Sequence, residues 1–144
     1  MKVFICKACG HLEFNDAPEN CPVCGAKKEA FQQNDNIFKE SSEKSPEAEG
    51  KHIPSVVVNK ECKLIPEEGC TDVIVRIGET LHPSVENHFI QFVDCYIDDE
   101  YVARVEFTHN VFPATCFHLK NDSGKVTIVE NCNIHGYWMK EVNL

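Results

Sequence analysis

Two short cysteine motifs near the start of the chain constrain its folding more than any other feature. Each has the form Cys-x-x-Cys-Gly, and they are Cys6-Lys7-Ala8-Cys9-Gly10 and Cys21-Pro22-Val23-Cys24-Gly25. The glycine after the second cysteine allows the backbone to fold back, so that amide N–H groups approach the sulfur atoms. A segment of about 30 residues buries too little surface to fold by itself, and a bound metal would supply much of its folding free energy. The motifs therefore predict a tetrathiolate module, which suits either structural zinc or redox-active iron.

Composition and charge limit the class of protein. The 144 residues are 42% hydrophobic and 26% charged, as in a globular protein, and a formal charge of -9 argues against nucleic-acid binding. The apolar start, residues 1–5, is shorter than a signal-peptide core, so we expect a cytoplasmic protein without membrane contact. In such a compartment metal ligation is favoured over disulfides, and four of the nine cysteines are predicted to be small buried apolar residues: Cys62, Cys70, Cys95 and Cys116.

The polar stretch 36–50 is predicted to be a linker. It is dominated by glutamate, lysine and serine, and it has too little apolar surface to offset the entropy of ordering, although Ile37 and Phe38 could pin it locally. The predicted division is a metal module over 1–35, the linker over 36–50 and a second domain over 51–144.

The second domain shows short segments with a period of two. In the clearest one, Tyr101, Ala103, Val105 and Phe107 alternate with more polar residues, as expected of a strand with one buried face. Similar runs cover residues 56–58, 73–77, 89–93, 115–119 and 126–129, with turn signals between them. The pattern predicts a mainly β chain whose second domain is an antiparallel sandwich of immunoglobulin-like type.

A second group of metal-binding residue types lies in this β domain. Cys132 and His135 are three residues apart, and a thiolate with an imidazole favours iron, zinc or copper. His82 and His88 flank a Pro-Ser loop that could turn both rings to one side, and His52 lies two residues before Pro54. Together they offer one thiolate and four imidazoles. The three other histidines are expected to be surface or hydrogen-bonded core residues: His11, His109 and His118.

Three motifs within this group resemble the superoxide reductase family, which includes neelaredoxin and desulfoferrodoxin. They are Lys51-His52-Ile53-Pro54, His82-Pro83 with His88-Phe89-Ile90, and Cys132-Asn133-Ile134-His135-Gly136-Tyr137-Trp138. The resemblance implies a catalytic non-haem iron with four equatorial histidines and one axial cysteine: His52, His82, His88, His135 and Cys132. It also implies one-electron reduction of superoxide to hydrogen peroxide at ferrous iron, an external electron donor such as a rubredoxin, and a homodimer.

The residues before His52 show one match with the family and one departure. Lys51 stands where the resemblance implies a cation near the open coordination position, with an electrostatic role in catalysis. Many members carry a glutamate before this lysine that caps the oxidised iron, but this chain has Gly50 there and Glu49 one place earlier. Glycine has no side-chain ligand, so only Glu49 could substitute.

The N-terminal module is more similar to the rubredoxin-like module of rubrerythrins than to a desulforedoxin-like domain, whose second cysteine pair is adjacent. Iron held by Cys6, Cys9, Cys21 and Cys24 would provide an electron entry point, whereas zinc would be structural. Two other functions remain open from the sequence: a non-catalytic iron redox carrier or sensor, and a binding module built from a zinc ribbon and a sandwich.

Overall fold

The computed structural model describes all residues, 1–144, and places a small antiparallel sheet at the N-terminus. Its strands are β1 (Val3–Cys6), β2 (Leu12–Phe14) and β3 (Phe31–Gln33), in the order β2-β1-β3. The two Cys-x-x-Cys turns project from this sheet, and Gly10 and Gly25 have φ values of 78° and 77°. Only a residue that tolerates positive φ closes such a turn without strain, which explains the glycine in each motif.

Seven further strands form two antiparallel sheets packed face to face, as the alternation predicted. One sheet has the order β10-β9-β6-β7 and the other the order β4-β5-β8. The strands are β4 (Pro54–Asn59), β5 (Thr71–Ile77), β6 (Ile90–Ile97), β7 (Glu100–Glu106), β8 (Ala114–Leu119), β9 (Lys125–Cys132) and β10 (Gly136–Asn143). The core between the sheets is aliphatic and aromatic, with Val73, Val75, Ile77, Val93, Phe117 and Ile128 among its members.

The four-stranded sheet is covered on both faces. Strands β6 and β9 are buried along almost their whole length, because one face meets the second sheet and the other meets the N-terminal module. Val3, Leu12 and Phe14 of the module form a cluster with Tyr96 and Val129 of the sheet. The module is therefore docked on the sandwich through an apolar contact.

The prediction of an unstructured linker over 36–50 is wrong for its local structure. Helix α1 spans Ile37–Lys44, a 3-10 turn spans Pro46–Ala48, and helix α2 spans Glu49–His52. Ile37 and Phe38 pack against the cluster between module and sheet, and the Tyr137 amide donates a 3.0 Å hydrogen bond to Ser41 Oγ. The segment is polar, but the surface on which it lies supplies the apolar contacts that its own sequence lacks.

The prediction that Cys62 and Cys70 are unbonded is also wrong. They form a disulfide within the connection between β4 and β5, across a separation of eight residues. Cys95 lies in the core as predicted, and Cys116 is only partly buried. None of the helices is both long and apolar enough to cross a membrane.

Candidate metal centres

Five donor side chains converge at one end of the sandwich, from the ends of two elements and from two connections between strands. The ligand atoms all lie within 4.8 Å of one another and belong to His52, His82, His88, Cys132 and His135. His52 ends α2, Cys132 ends β9, and the remaining three lie in the connections that follow β5 and β9. Turns at strand ends can place side chains from distant parts of the chain at one point, while the two sheets fix the ends.

Backbone carbonyls set the orientation of two of the rings. His52 Nδ1 donates to the Ala48 carbonyl at 2.8 Å, and His82 Nδ1 donates to the Pro83 carbonyl at 2.7 Å. The Nε2 atoms of the two rings then carry lone pairs, and they lie only 3.1 Å apart. Two lone pairs at this distance repel each other unless a cation lies beside both.

Burial keeps these two imidazoles neutral, which metal ligation requires. The pKa of both His52 and His82 is lowered to about 4, chiefly by burial and in smaller part by the charges of the neighbouring histidines. The pKa of His88 is also lowered, chiefly by burial. The rings are thus in the metal-binding protonation state at neutral pH.

His88 and His135 each direct one ring nitrogen toward the point where the donor atoms of His52 and His82 lie. His88 Nε2 is buried and has no hydrogen-bond partner, a costly situation for a polar atom unless a ligand satisfies it. His135 Nδ1 lies 3.8 Å from Cys132 Sγ, so this histidine faces the group with Nδ1. Trp138 donates from Nε1 to the His135 carbonyl at 3.1 Å and packs on the ring of His52, 5.2 Å between centroids.

The side-chain amide of Asn133 joins the turn that follows Cys132 to the loop that carries His88 through two hydrogen bonds. The Phe89 amide donates to Asn133 Oδ1 at 3.0 Å, and Asn133 Nδ2 donates to the Asn87 carbonyl at 3.1 Å. Burial raises the pKa of the Cys132 thiol, while the amides of His135 and Ile134 act in the opposite direction. A metal cation at this point would favour the thiolate.

The donor set fits non-haem iron. Four imidazole nitrogens and one sulfur exceed the four ligands that structural zinc accepts, and an orphaned buried Nε2 is satisfied when an ion binds. Iron accepts this mixture of imidazole and thiolate and leaves room for a small molecule when five positions are filled.

Lys51 and Glu49 occupy different surroundings. Lys51 is exposed, and its charge contributes to the lowered pKa values of His52 and His88, although burial is the larger cause. Glu49 lies outside the group of converging donors and lines a surface groove with Pro54, Ser55 and Lys140. In this structure Glu49 does not take the place of a carboxylate ligand.

The four N-terminal cysteines also come together. Their sulfurs lie within 4.8 Å of one another, with 3.7 Å between Cys6 and Cys24 and 3.6 Å between Cys9 and Cys21. The Ala26 amide lowers the pKa of Cys24 to about 7, and Cys24 is exposed. One edge of the tetrathiolate group is therefore open to solvent.

Polar contacts that sequence reasoning missed join this module to the sandwich. Asp94 is fully buried on β6 and pairs with Arg104 at 2.6 Å and with His11 at 3.0 Å. Arg104 also donates to the Cys9 carbonyl at 3.0 Å, and the Tyr137 hydroxyl donates to the Gly10 carbonyl at 2.7 Å. The available signal was a single charged residue, Asp94, in the otherwise largely apolar β6 strand.

Two further sets of groups lay outside the sequence prediction. Glu130 is fully buried on β9 with no hydrogen-bond partner, and burial raises its pKa well above the usual range. His118, expected to be an ordinary surface or core residue, lies with Cys62, Cys70 and Asp72 in a third group of possible metal donors.

Comparison with known families gives two matches along the chain. A model described as Desulfoferrodoxin matches residues 43–141, and one described as a rubredoxin-like domain of rubrerythrin matches residues 4–32. The two matches leave residues 33–42 between them.

Curated relatives and solved structures agree with these matches. A superoxide reductase of Pyrococcus horikoshii is 32% identical over 106 residues, which are 65% of this chain and 87% of the relative. A desulfoferrodoxin of Syntrophotalea carbinolica is 27% identical over 142 residues, 98% of this chain and 96% of the relative. The crystal structure of the superoxide reductase from Treponema pallidum has a TM-score of 0.63 at 23% identity, covering 97% of this chain and 98% of that one. The last likeness concerns the fold alone.

Proposed function

The chain belongs to the desulfoferrodoxin family, and from that premise we propose that it is a superoxide reductase. It reduces superoxide by one electron to hydrogen peroxide and takes the electron from an external donor. The observation that carries the proposal is the convergence of four imidazoles and one buried thiol on one point. A carrier or sensor would not need so large a donor set with a position left for a small molecule.

Five residues would hold the iron: His52, His82, His88, Cys132 and His135. Iron bound there supplies the one-electron chemistry. The carbonyls of Ala48 and Pro83 fix the tautomers of two ligands, and Asn133 holds the cysteine turn against the loop that carries His88. Burial of Cys132 keeps water away from the sulfur, which protects the sulfur from reaction with the peroxide product.

Lys51 is the proposed catalytic residue that is not a ligand. Superoxide is an anion, and the chain carries a formal charge of -9, so its overall field disfavours approach. An exposed ammonium close enough to affect His52 and His88 creates a local attractive field at the mouth of the site. It can also orient a water molecule that donates the proton required for peroxide release.

The N-terminal module is the proposed electron entry point, with iron rather than zinc held by Cys6, Cys9, Cys21 and Cys24. Exposed Cys24 supports contact with a donor protein such as a rubredoxin. A short bonded route supports delivery within the chain: Cys9 is adjacent to Gly10, whose carbonyl accepts the Tyr137 hydroxyl, and Tyr137 is two residues from His135.

The organisation that accompanies this function is a module over 1–35, a connecting segment over 36–50 and a catalytic domain over 51–144. We propose a homodimer in the cytoplasm. Family resemblance supports the dimer, and the seven cysteines that form no disulfide support the location.

The test is Cys132→Ser, with Cys116→Ser as a matched control on a strand outside the site. We expect Cys132→Ser to lose the sulfur-to-iron charge-transfer absorption and at least about 100-fold in the rate of superoxide reduction, a loss typical for removal of a key catalytic group. Rapid-mixing kinetics with superoxide, metal analysis and circular dichroism of both variants provide the measurements.

Three outcomes contradict the proposal: zinc in place of iron among the four histidines and the cysteine, iron that changes redox state without consuming superoxide, or equal rates in the two serine variants. The second of these would identify a redox carrier or sensor.

A further inference from the structure

A third group of donors lies on the sandwich away from both sites described above. It joins the connection between β4 and β5 to strands β5 and β8, where Asp72 is paired across the sheet with His118. Ligand atoms of Cys62, Cys70, Asp72 and His118 all lie within 4.8 Å of one another. We propose that, when the two cysteines are reduced, these four side chains form a zinc site, and that oxidation to the disulfide releases the ion.

The distances between the four donor atoms are the first support for a shared metal site. His118 Nδ1 lies 2.8 Å from Asp72 Oδ1, 3.6 Å from Cys62 Sγ and 3.9 Å from Cys70 Sγ, and Cys70 Sγ lies 3.4 Å from Asp72 Oδ1. Zinc with bonds of about 2.0–2.3 Å in a tetrahedron requires donor separations of about 3.3–3.8 Å. Three of these four separations lie near that range. Asp72 must move slightly away from His118, and the two sulfurs, bonded to each other in the disulfide, must separate.

The N-terminal cysteines give an internal comparison. Their sulfurs lie 3.7 Å and 3.6 Å apart in two pairs, which is the spacing of ligands around one ion. Reduction of the disulfide between Cys62 and Cys70 frees these two sulfurs to reach a similar separation by rotation of their side chains. No change in the cross-strand pairing of Asp72 with His118 is required.

The donor types select the metal. Two thiolates, one imidazole and one carboxylate are all ligands of zinc in four-coordinate sites, whereas magnesium and calcium prefer oxygen alone. The two thiolates and the carboxylate carry more negative charge than one divalent cation neutralises. The groove beside Cys70 contains two lysines, Lys60 and Lys120, and two acidic residues, Glu68 and Asp122, so it adds no net charge to the ligand set.

Access to the group is sufficient for both exchange and oxidation. Cys62 is buried, Cys70 is partly exposed, and the side chains of Asp72 and His118 are 15% and 29% exposed. A metal can enter from the solvent side, and a small oxidant can reach Cys70. The site therefore has one sheltered sulfur and one accessible sulfur.

The redox step balances with hydrogen peroxide as oxidant. One thiolate attacks peroxide to give a sulfenic acid and hydroxide, and the second thiolate condenses with the sulfenic acid to give the disulfide and a second hydroxide. Each hydroxide takes one proton from solvent. The two cysteines together lose two electrons and one S–S bond forms, while peroxide gains two electrons and two protons, its O–O bond breaks, and two waters leave. The zinc ion loses both sulfur ligands and departs unchanged in charge. The metal site itself does not depend on superoxide reduction, because the peroxide is added in the test.

The experiment uses the full chain with its two other metal sites loaded with iron. The protein is reduced with a phosphine, given zinc chloride and desalted, and zinc, iron and thiols are then counted per chain. We expect one zinc per chain in the wild type and in the Cys116→Ser control. The double variant Cys62→Ser with Cys70→Ser should bind zinc more than about tenfold more weakly, since even outer-sphere partners of a metal site contribute about 10–100-fold.

Two further variants test zinc binding while both cysteines of the β4–β5 connection stay in place. Asp72→Asn and His118→Gln replace partly exposed side chains and should each weaken zinc binding while the iron absorption bands stay unchanged. Addition of hydrogen peroxide to the zinc-loaded wild type should release one zinc as two thiols disappear.

The proposal is overturned if reduced wild type retains no more zinc than the double cysteine variant. Zinc that stays bound after the two thiols are lost would equally contradict redox-controlled release. In the first case the four residues would be a disulfide beside a cross-strand ion pair and no more.

Discussion

His52 and His82 illustrate how single residues at this site are prepared before a metal binds. Each donates one ring N–H to a carbonyl, and burial keeps the other nitrogen unprotonated. Both the tautomer and the protonation state are thus set by the fold. Little rearrangement is needed when the ion enters, which favours tight binding.

Substitution of Lys51 tests the electrostatic part of the proposal. We expect Lys51→Ala to react about tenfold more slowly with superoxide at low salt, because local positive charge raises encounter rates by about 10–1,000-fold. The difference should shrink as ionic strength rises and screening shortens the range of the field. Rapid mixing with superoxide at several salt concentrations measures both effects.

Lys39→Ala is the matched control for this experiment. Lys39 is an exposed lysine on α1 that pairs with Glu43, so its removal changes net charge equally without touching the site. Lys51→Arg should restore most of the rate. A rate for Lys51→Ala that equals that of Lys39→Ala at every salt concentration would remove Lys51 from the mechanism.

At the level of elements, sequence periodicity predicted the strands, but it did not predict helix α1 or the disulfide. The alternation from Tyr101 to Phe107 reports burial on one face, and β7 lies there. Helix α1 was missed because its stability comes from the surface beneath it, which the segment's own composition cannot reveal. The disulfide was missed for a similar reason, since the folding of the β4–β5 connection brings Cys62 to Cys70.

The ligand groups were more accessible to sequence reasoning than the interface. Cysteine and histidine in short motifs can be identified as candidate metal ligands from residue type and spacing, so the sequence predicted all nine candidate ligands. The partnership of His11, Asp94 and Arg104 depends on how the module docks on β6 and β7. No local pattern encodes the relative position of two sheets.

His11 makes this docking dependent on pH. Burial by itself lowers the His11 pKa, but the hydrogen bonds and charges of Asp94 and Glu13 more than offset it, and the net pKa is raised from 6.5. The folded protein therefore binds this proton more tightly than the unfolded chain does. The resulting stability is fully present below pH 6.5 and is lost as pH rises through the folded-state pKa.

The expected outcome for His11→Gln is a loss of about 1–3 kcal/mol at pH 6, typical of a buried acceptor left unsatisfied. The deficit should narrow toward pH 9, as the wild-type histidine loses its proton. Urea unfolding at both pH values measures it, with Lys39→Ala as a surface control. A deficit that is the same at both pH values would show that His11 acts by packing alone.

Across the whole molecule, the docked module, helix α1 and strand β10 form a continuous connection between the two principal metal-ligand groups. Tyr137 is its central residue: its amide binds Ser41 of α1, its hydroxyl binds the carbonyl after Cys9, and its chain leads back to His135. The same residue therefore supports the docking and provides the bonded route between the groups.

Tyr137→Phe separates these two roles. The change removes only the hydroxyl, so we expect a stability loss of about 0.5–1.5 kcal/mol, the usual net contribution of one hydrogen bond. If the route through Gly10 carries electrons, reduction at the histidine and cysteine site should become slower, while reduction at the tetrathiolate site by an added rubredoxin stays unchanged. Stopped-flow absorption at the two iron bands follows each step separately.

Tyr101→Phe is the control, because Tyr101 packs against His11 in the same interface, 4.8 Å between ring centroids, but lies off the route through Gly10. Equal internal rates in the two variants would show that Tyr137 holds the module in place without conducting.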